Sequence, residues 1–293
     1  MLAIVGYLIV IISVFGGFAL SGGHLLALVQ PFEFMIIGGA ALGAFVISSN
    51  MKIIKATIKA GFSIFKGTPY TKEYYVELLS MFFELTNKMR REGALAIEND
   101  IENYKESPLF SVYPRIIKDD KVMEFICDHL KLIITGRVDI HQLEIIMEND
   151  IDTYEEEAEL PISAISKVSD SMPAFGIVAA VMGVVHTIES IGVPPAQLGA
   201  MIARALVGTF LGVLIGYGFI SPVANALETN RQAVVKVLKS TMIVLLASTS
   251  NLAPTLAVEL ARKVLYASAR PNGRELEEIL KNVKSSRMGA TNG

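Results

Sequence analysis

Cysteine is scarce in this chain, and tryptophan and early positive charge are missing from it. It has one cysteine, Cys127, no tryptophan and four histidines among 293 residues. A single cysteine excludes an internal disulfide framework. His24, His129, His141 and His186 show no metal-ligand spacing such as H-E-x-x-H, and no glycine-rich phosphate loop follows a strand. Asp128 and His129 beside Cys127 invite a nucleophile, but adjacent residues point in different directions on a helix. Cys127 therefore reads as a packed structural thiol. The chain is not expected to be an enzyme or to hold a metal or cofactor. No Lys or Arg precedes Lys52, so the first apolar run lacks the basic start of a cleaved signal peptide.

What is present is apolar sequence with its charges segregated. Residues 1–50 hold one acidic or basic residue, Glu33. Residues 51–170 hold fifteen Lys/Arg against twenty-two Asp/Glu, a net of −7. From 172 to 227 only Glu189 and Arg204 are charged. This is the pattern of an all-α integral membrane protein with four transmembrane helices and a large helical cytoplasmic insert. Residues 1–50 give helices 1 and 2, 51–170 the insert, 171–227 helices 3 and 4, and 228–293 cytoplasmic helices with a disordered tail. Nucleic acid is an unlikely partner for so acidic an insert; membrane lipid is an obligatory one. Lys52, Lys55, Lys59 and Lys66 follow the second span and Lys167 precedes the third, whereas linkers 22–32 and 192–201 have no Lys or Arg. The positive-inside rule places both linkers outside and both termini in the cytoplasm.

Within the insert, residues 75–93 form an apolar stripe ending at Gly93, a second helix is expected over 95–104, and a third runs from 122 to a stop at Gly136. Residues 141–157 are amphipathic and acidic. No strand-period alternation is convincing. The uncharged stretch 241–258 contains Ser248, Thr249, Ser250, Asn251 and Pro254, which lipid accommodates poorly, so it reads as a cytoplasmic helix and not a fifth span. The last residues, from Ser285, read as the disordered tail.

The third and fourth spans are built from small residues. Gly208, Gly212 and Gly216 recur every fourth position and share one helix face, as do Gly176 with Ala180 and Ala179 with Gly183. Such stripes bring backbones close where lipid supplies no hydrophobic drive. Gly39 and Gly43 share a face of the second span in the same way. No Asp, Glu, Lys or Arg lies in the interior of any span, so an ion path here needs its carboxylate from a partner. Thr209 has two uses open to it: a back-bond to the carbonyl of Ala205, or a pore lining. Pro173 follows Asp170 and Ser171 as a first-turn proline behind an N-cap would, and Pro222 removes a backbone hydrogen bond at the cytoplasmic boundary. Both are helix punctuation or a pair of hinges. Arg90, Arg91 and Glu98 form a solvated face that could also recognise a charged partner.

Residues 173–186, P-A-F-G-I-V-A-A-V-M-G-V-V-H, and 207–222, V-G-T-F-L-G-V-L-I-G-Y-G-F-I-S-P, resemble the MotA family of flagellar motor stator subunits. The resemblance extends to 6–17, 30–40, Y-P-R-I-I at 113–117, 257–266 and 270–278. It implies a homopentamer around two MotB chains in the bacterial inner membrane, with a MotB aspartate accepting the ion. It implies ion-path positions at Ala180, Thr209 and Tyr217, and conformational coupling at Pro173 and Pro222. It also implies engagement of the rotor protein FliG through Arg90 and Glu98, with Arg91 adding a second positive charge. Sodium-driven PomA-type relatives tend to have threonine where Ala180 stands, so the implied ion is a proton. The ExbB/TolQ type of proton-driven energiser is a related alternative. A secondary transporter is the alternative from another class, though no inverted repeat is evident.

Overall fold

Apolar and amphipathic runs alike fold here as helices, and some helices carry both. The computed structural model describes residues 2–189 and 192–290. The first span is α1 (Leu2–Ile11), a π turn (Ile12–Gly16) and α2 (Gly17–Leu20). A 3-10 turn (Leu25–Leu28) precedes α3 (Pro31–Ser48) and α4 (Met51–Ser63). Then come α5 (Lys72–Glu92), a 3-10 turn (Ala94–Ile97), α6 (Glu98–Glu102), α7 (Pro114–Ile117) and α8 (Asp120–Thr135). The remainder is α9 (Ile140–Glu189), α10 (Pro195–Val213), a π stretch (Leu214–Ile220), α11 (Ser221–Thr249), α12 (Pro254–Val264) and α13 (Gly273–Ala290). There is no strand among the described residues.

Among the described residues, four helical stretches are long and apolar enough to cross a membrane: Leu2–Leu20, Leu25–Ser48, Ile140–Glu189 and Pro195–Thr249. Local chemistry sets the boundaries. The Asn50 side chain accepts from Ile53 N at 2.9 Å and starts α4. Asp139 and Gln142 form a reciprocal capping box ahead of α9, and Asn272 with Glu275 does the same for α13. Gly93 ends α5 at φ 85°, and Gly136 caps α8 in the left-handed region at φ 62°.

Four expectations need correcting. The acidic helix and the third span are one 50-residue helix, α9, with Pro161 and Pro173 inside it, so Pro173 is not a first-turn residue behind a cap. A proline inside a helix deletes one backbone donor without ending it where the turns on both sides are held by packing. The stretch 241–258 is two helices: α11 stops at Thr249, Asn251 takes φ 54°, and Pro254 opens α12. The tail from Ser285 is helical as far as Ala290, while 291–293 lie outside the described residues. The helix expected over 95–104 is also shorter, a 3-10 turn running into α6.

The chain divides into two units, residues 1–67 with 157–229 and residues 68–156 with 230–293. In the first, Ile37 and Ala41 of α3 pack with Met172 and Ala179 of α9 and with Val207 and Leu211 of α10. A second cluster joins Ile162 and Ile165 to Ala224 and Leu227. The second unit has a hydrophobic core of its own. Tyr74, Leu78, Phe82 and Leu85 of α5 are enclosed with Phe110, Ile126, Leu238 and Leu245. Tyr70 and Tyr74 both donate to Asp119 Oδ2 at 3.0 Å, and burial together with that carboxylate holds both phenols far above their ordinary range.

Candidate functional site

The small residues of the third and fourth spans meet as an antiparallel zip between α9 and α10. A β-carbon built on Gly176 would stand 2.8 Å from the carbonyl oxygen of Gly208 and 3.1 Å from Cα of Gly212. One on Gly212 would stand 2.6 Å from the oxygen of Met172, and one on Gly183 would stand 2.7 Å from Cβ of Ala205. One on Gly216 would stand 2.7 Å from the oxygen of Ser169. Most of these neighbours are backbone, so the helices touch main chain to main chain, which only glycine permits. Gly39 and Gly43 do nothing comparable, since a β-carbon at either would meet no atom within 4 Å.

A carboxylate reaches this crossing from a direction that linear position conceals. Glu33 lies in the first turn of α3, yet its Oε2 is enclosed, has no hydrogen-bond partner, and would be 2.7 Å from a β-carbon on Gly208. The same β-carbon would be 3.1 Å from Cβ of Ala179 and 3.2 Å from N of Ala180. Glu33 thus stays at the start of its span, but its Oε2 lies against the α9–α10 crossing at Gly208. Nothing in the local pattern marks this, apart from Glu33 being the one charge in residues 1–50.

Opposite the zip, α10 presents Ile202, Leu206 and Val213 uncovered, and the π stretch after it Tyr217, with half-buried Thr209 between Leu206 and Val213 on that face. On α9, Ile177, Val181, Val184 and Ile188 are uncovered too. Thr187 bonds back to the carbonyl of Gly183 at 2.8 Å and Thr229 to that of Asn225 at 3.0 Å. Among the described residues the Thr209 hydroxyl makes no such bond to Ala205, leaving it available to the uncovered face.

Pro173 belongs to the zip. Having no N–H, it leaves the helical carbonyl of Ser169 without its donor, and that oxygen is the atom facing Gly216, with Pro173 Cδ also 3.2 Å from a β-carbon there. Before Pro222 the helix widens into the π stretch Leu214–Ile220, which contains Tyr217. Here the expected disruption takes the form of a wider turn that continues directly into α11. Two hydroxyls clasp it: Ser169 Oγ donates to the carbonyl of Gly216 at 2.9 Å, and Tyr7 Oη donates to that of Phe219 at 2.9 Å. Tyr7 also stacks on Phe219, with ring centroids 5.5 Å apart. Polar backbone loosened inside a bilayer needs such donors, and sequence reading missed both.

In the other unit, Arg90 and Arg91 end α5 and Glu98 begins α6, all three exposed. Between them stands Leu95, 69% exposed. Beneath, Lys88 pairs with Asp100 at 2.7 Å, and Ser107 donates to the same carboxyl group at 2.6 Å. Cys127 is buried, and desolvation pushes its thiol up to about 11. His129 is buried as well, with Nδ1 2.7 Å from the carbonyl of Phe125.

Two family models match this chain: motility protein A N-terminal over residues 4–93, and the MotA/TolQ/ExbB proton channel family over residues 118–240. With four membrane-spanning helical stretches, this defines a multi-pass inner-membrane protein of the proton-channel class. The chain belongs to the motility protein A family. It is 48% identical to Motility protein A of Salmonella typhimurium and 46% identical to that of Escherichia coli, each over 99% of both chains. The fold is shared with the structure of C. jejuni MotAB, at TM-score 0.77 and 21% identity, covering 90% of this chain and 95% of that one. The flagellar MotAB stator complex from Bacillus subtilis gives TM-score 0.72 and 24% identity over 90% and 96%. Relatedness along the whole length favours the motility branch over the ExbB/TolQ alternative and over a secondary transporter.

Proposed function

We propose that this chain is the stator subunit of a bacterial flagellar motor. With a MotB-type partner it forms a proton path and converts proton flow into torque on the rotor. The observation behind this reading is the two-sided character of the α9–α10 pair. One side is zipped by glycine; the other is apolar, uncovered and bears Thr209 and Tyr217 with no carboxylate on it. Such a face suits a transmembrane helix from a partner that brings its own aspartate. The solved relatives are complexes named MotAB, which supports that pairing. In this reading five copies surround two partner helices, both termini face the cytoplasm, and no enzymatic step is involved.

Protonation of the partner aspartate changes its charge in a low-dielectric setting and so its fit against α9 and α10. One charge moved through about 100 mV supplies roughly 2.3 kcal/mol, enough to bias two packing states. Pro173, against Gly216, and Pro222, after the π stretch, bend with that change. Arg90, Arg91 and Glu98 deliver it to FliG through charge complementarity.

The test is swimming speed in cells with this chain as their only stator subunit, with proton and sodium gradients varied separately. Speed should follow the proton gradient and ignore sodium. Dependence on sodium alone overturns the ion assignment, and proton transport by the purified chain alone in liposomes overturns the partner's role.

A further inference from the structure

Between the first span, the outer linker and α10 lies an open cavity of about 740 Å³, within the size range of small-molecule sites. Its walls are mainly apolar, with Val14 and Phe18 from the first span, Leu26 from the linker and Phe210 from α10. Gln30 and Arg204 are its polar members. Arg204 is the one Lys or Arg between 172 and 227. It is exposed, and among the described residues it makes no ion pair or hydrogen bond. A guanidinium keeps its charge, so in a membrane it must find an anion or water. Glu33 does not serve, because its enclosed Oε2 faces Gly208, one helical turn inward of Arg204.

Depth and shape then agree. Arg204 lies on α10 one turn outward of Gly208, where the first-turn Glu33 of α3 meets it, toward the end of the span that the charge pattern places outside. The apolar walls continue inward as far as Phe210. The geometry points to a binding site for an anionic glycerophospholipid of the outer leaflet, its phosphodiester on Arg204 and one acyl chain in the cavity. Arginine takes a phosphate through two parallel N–H donors. A zwitterionic headgroup carries its own cation and gains less from the same contact. The inference is independent of which ion drives the motor.

The test uses the full chain, purified in mild detergent with its membrane partner and titrated with phosphatidylglycerol or phosphatidylcholine of identical acyl chains. Bound lipid is counted by native mass spectrometry. Wild type should retain phosphatidylglycerol about fivefold more tightly, the worth of one arginine beside an anionic lipid. Arg204→Gln should bring the two lipids level, and Arg204→Lys, which keeps the charge, should preserve most of the preference. Ala203→Phe, which fills the cavity, should lower retention of both lipids. Inorganic phosphate should leave the thermal midpoint unmoved. Equal retention by wild type, an unchanged preference in Arg204→Gln, or stabilisation by phosphate alone would overturn the site. So would a disulfide between copies carrying Ala203→Cys, which would show a neighbouring subunit filling the space.

Discussion

Gly212→Ala puts the α9–α10 zip to its hardest test. The new methyl would lie 2.6 Å from the carbonyl oxygen of Met172, 2.9 Å from Cα of Gly176 and 3.2 Å from its N. All three atoms are main chain, so no side chain can swing aside and the helices themselves must part. Restoring ordinary contact requires a separation of roughly 0.8 Å at this level, and overpacking of that kind costs about 1–3 kcal/mol. The displacement also reaches one turn along, to the bond from Ser169 to the Gly216 carbonyl. Stretched from 2.9 Å by a similar amount, that bond leaves hydrogen-bonding range. Its loss adds about 0.5–1.5 kcal/mol. The sum, about 1.5–4.5 kcal/mol, would appear as an earlier midpoint when the solubilised protein is unfolded by heat or titrated with SDS, accompanied by lost motility. Gly43→Ala is the matched control, since its β-carbon meets nothing within 4 Å. If Gly212→Ala and Gly43→Ala unfold alongside wild type, close backbone contact is not what joins these helices.

Three further outcomes follow from other places in the molecule. Glu33→Met replaces an enclosed, unpartnered carboxylate oxygen by an apolar side chain of similar length, so it should stabilise the solubilised chain by about 1–3 kcal/mol; a loss of stability in thermal unfolding would reveal a hidden partner. Leu95→Ala should leave the thermal midpoint within the equivalent of about 0.5 kcal/mol, yet weaken co-precipitation of the rotor protein about fivefold. Unchanged co-precipitation would remove Leu95 from the contact. Cys127, with its thiol pushed up to about 11, should react with iodoacetamide at pH 8 at least about 100-fold more slowly in the native chain than in the unfolded one. Because folding favours the protonated thiol, its contribution is complete below about pH 8.5 and falls away as pH rises toward 11. Rapid alkylation of the native protein would contradict its burial.

Four spans, their glycine stripe and the helix stops at Gly93 and Gly136 were legible because each depends on residues near one another in the chain. Periodicity of four and punctuation by glycine are local signals. The Glu33 placement was not legible, since a first-turn acid reads as a span boundary and only the tertiary crossing turns its oxygen toward Gly208. Gly39 and Gly43 mislead for the same reason: a shared face is local, whereas a partner for it is not. Pro173 imitated a helix start because Asp170 and Ser171 are good capping residues, but the packing of α9 against Gly212 and Gly216 holds the helix through it. The clasping hydroxyls of Tyr7 and Ser169 act on carbonyls 212 and 47 residues away, beyond the reach of any motif. Thr209 differs from Thr187 and Thr229 only in its surroundings.

The π stretch Leu214–Ile220 solves a problem of phase. Residues spaced by four overshoot a 3.6-residue turn, so a stripe such as Gly208, Gly212 and Gly216 slips round an α-helix by about 40° at each step. Continued unaltered, it would soon look sideways. One slack turn, with more residues to the turn, winds the slippage back, and beyond it Ala224 and Leu227 pack with Ile162 and Ile165 of α9. Two neighbouring helices can thus stay in register over a length that a uniform coil of this composition would not sustain.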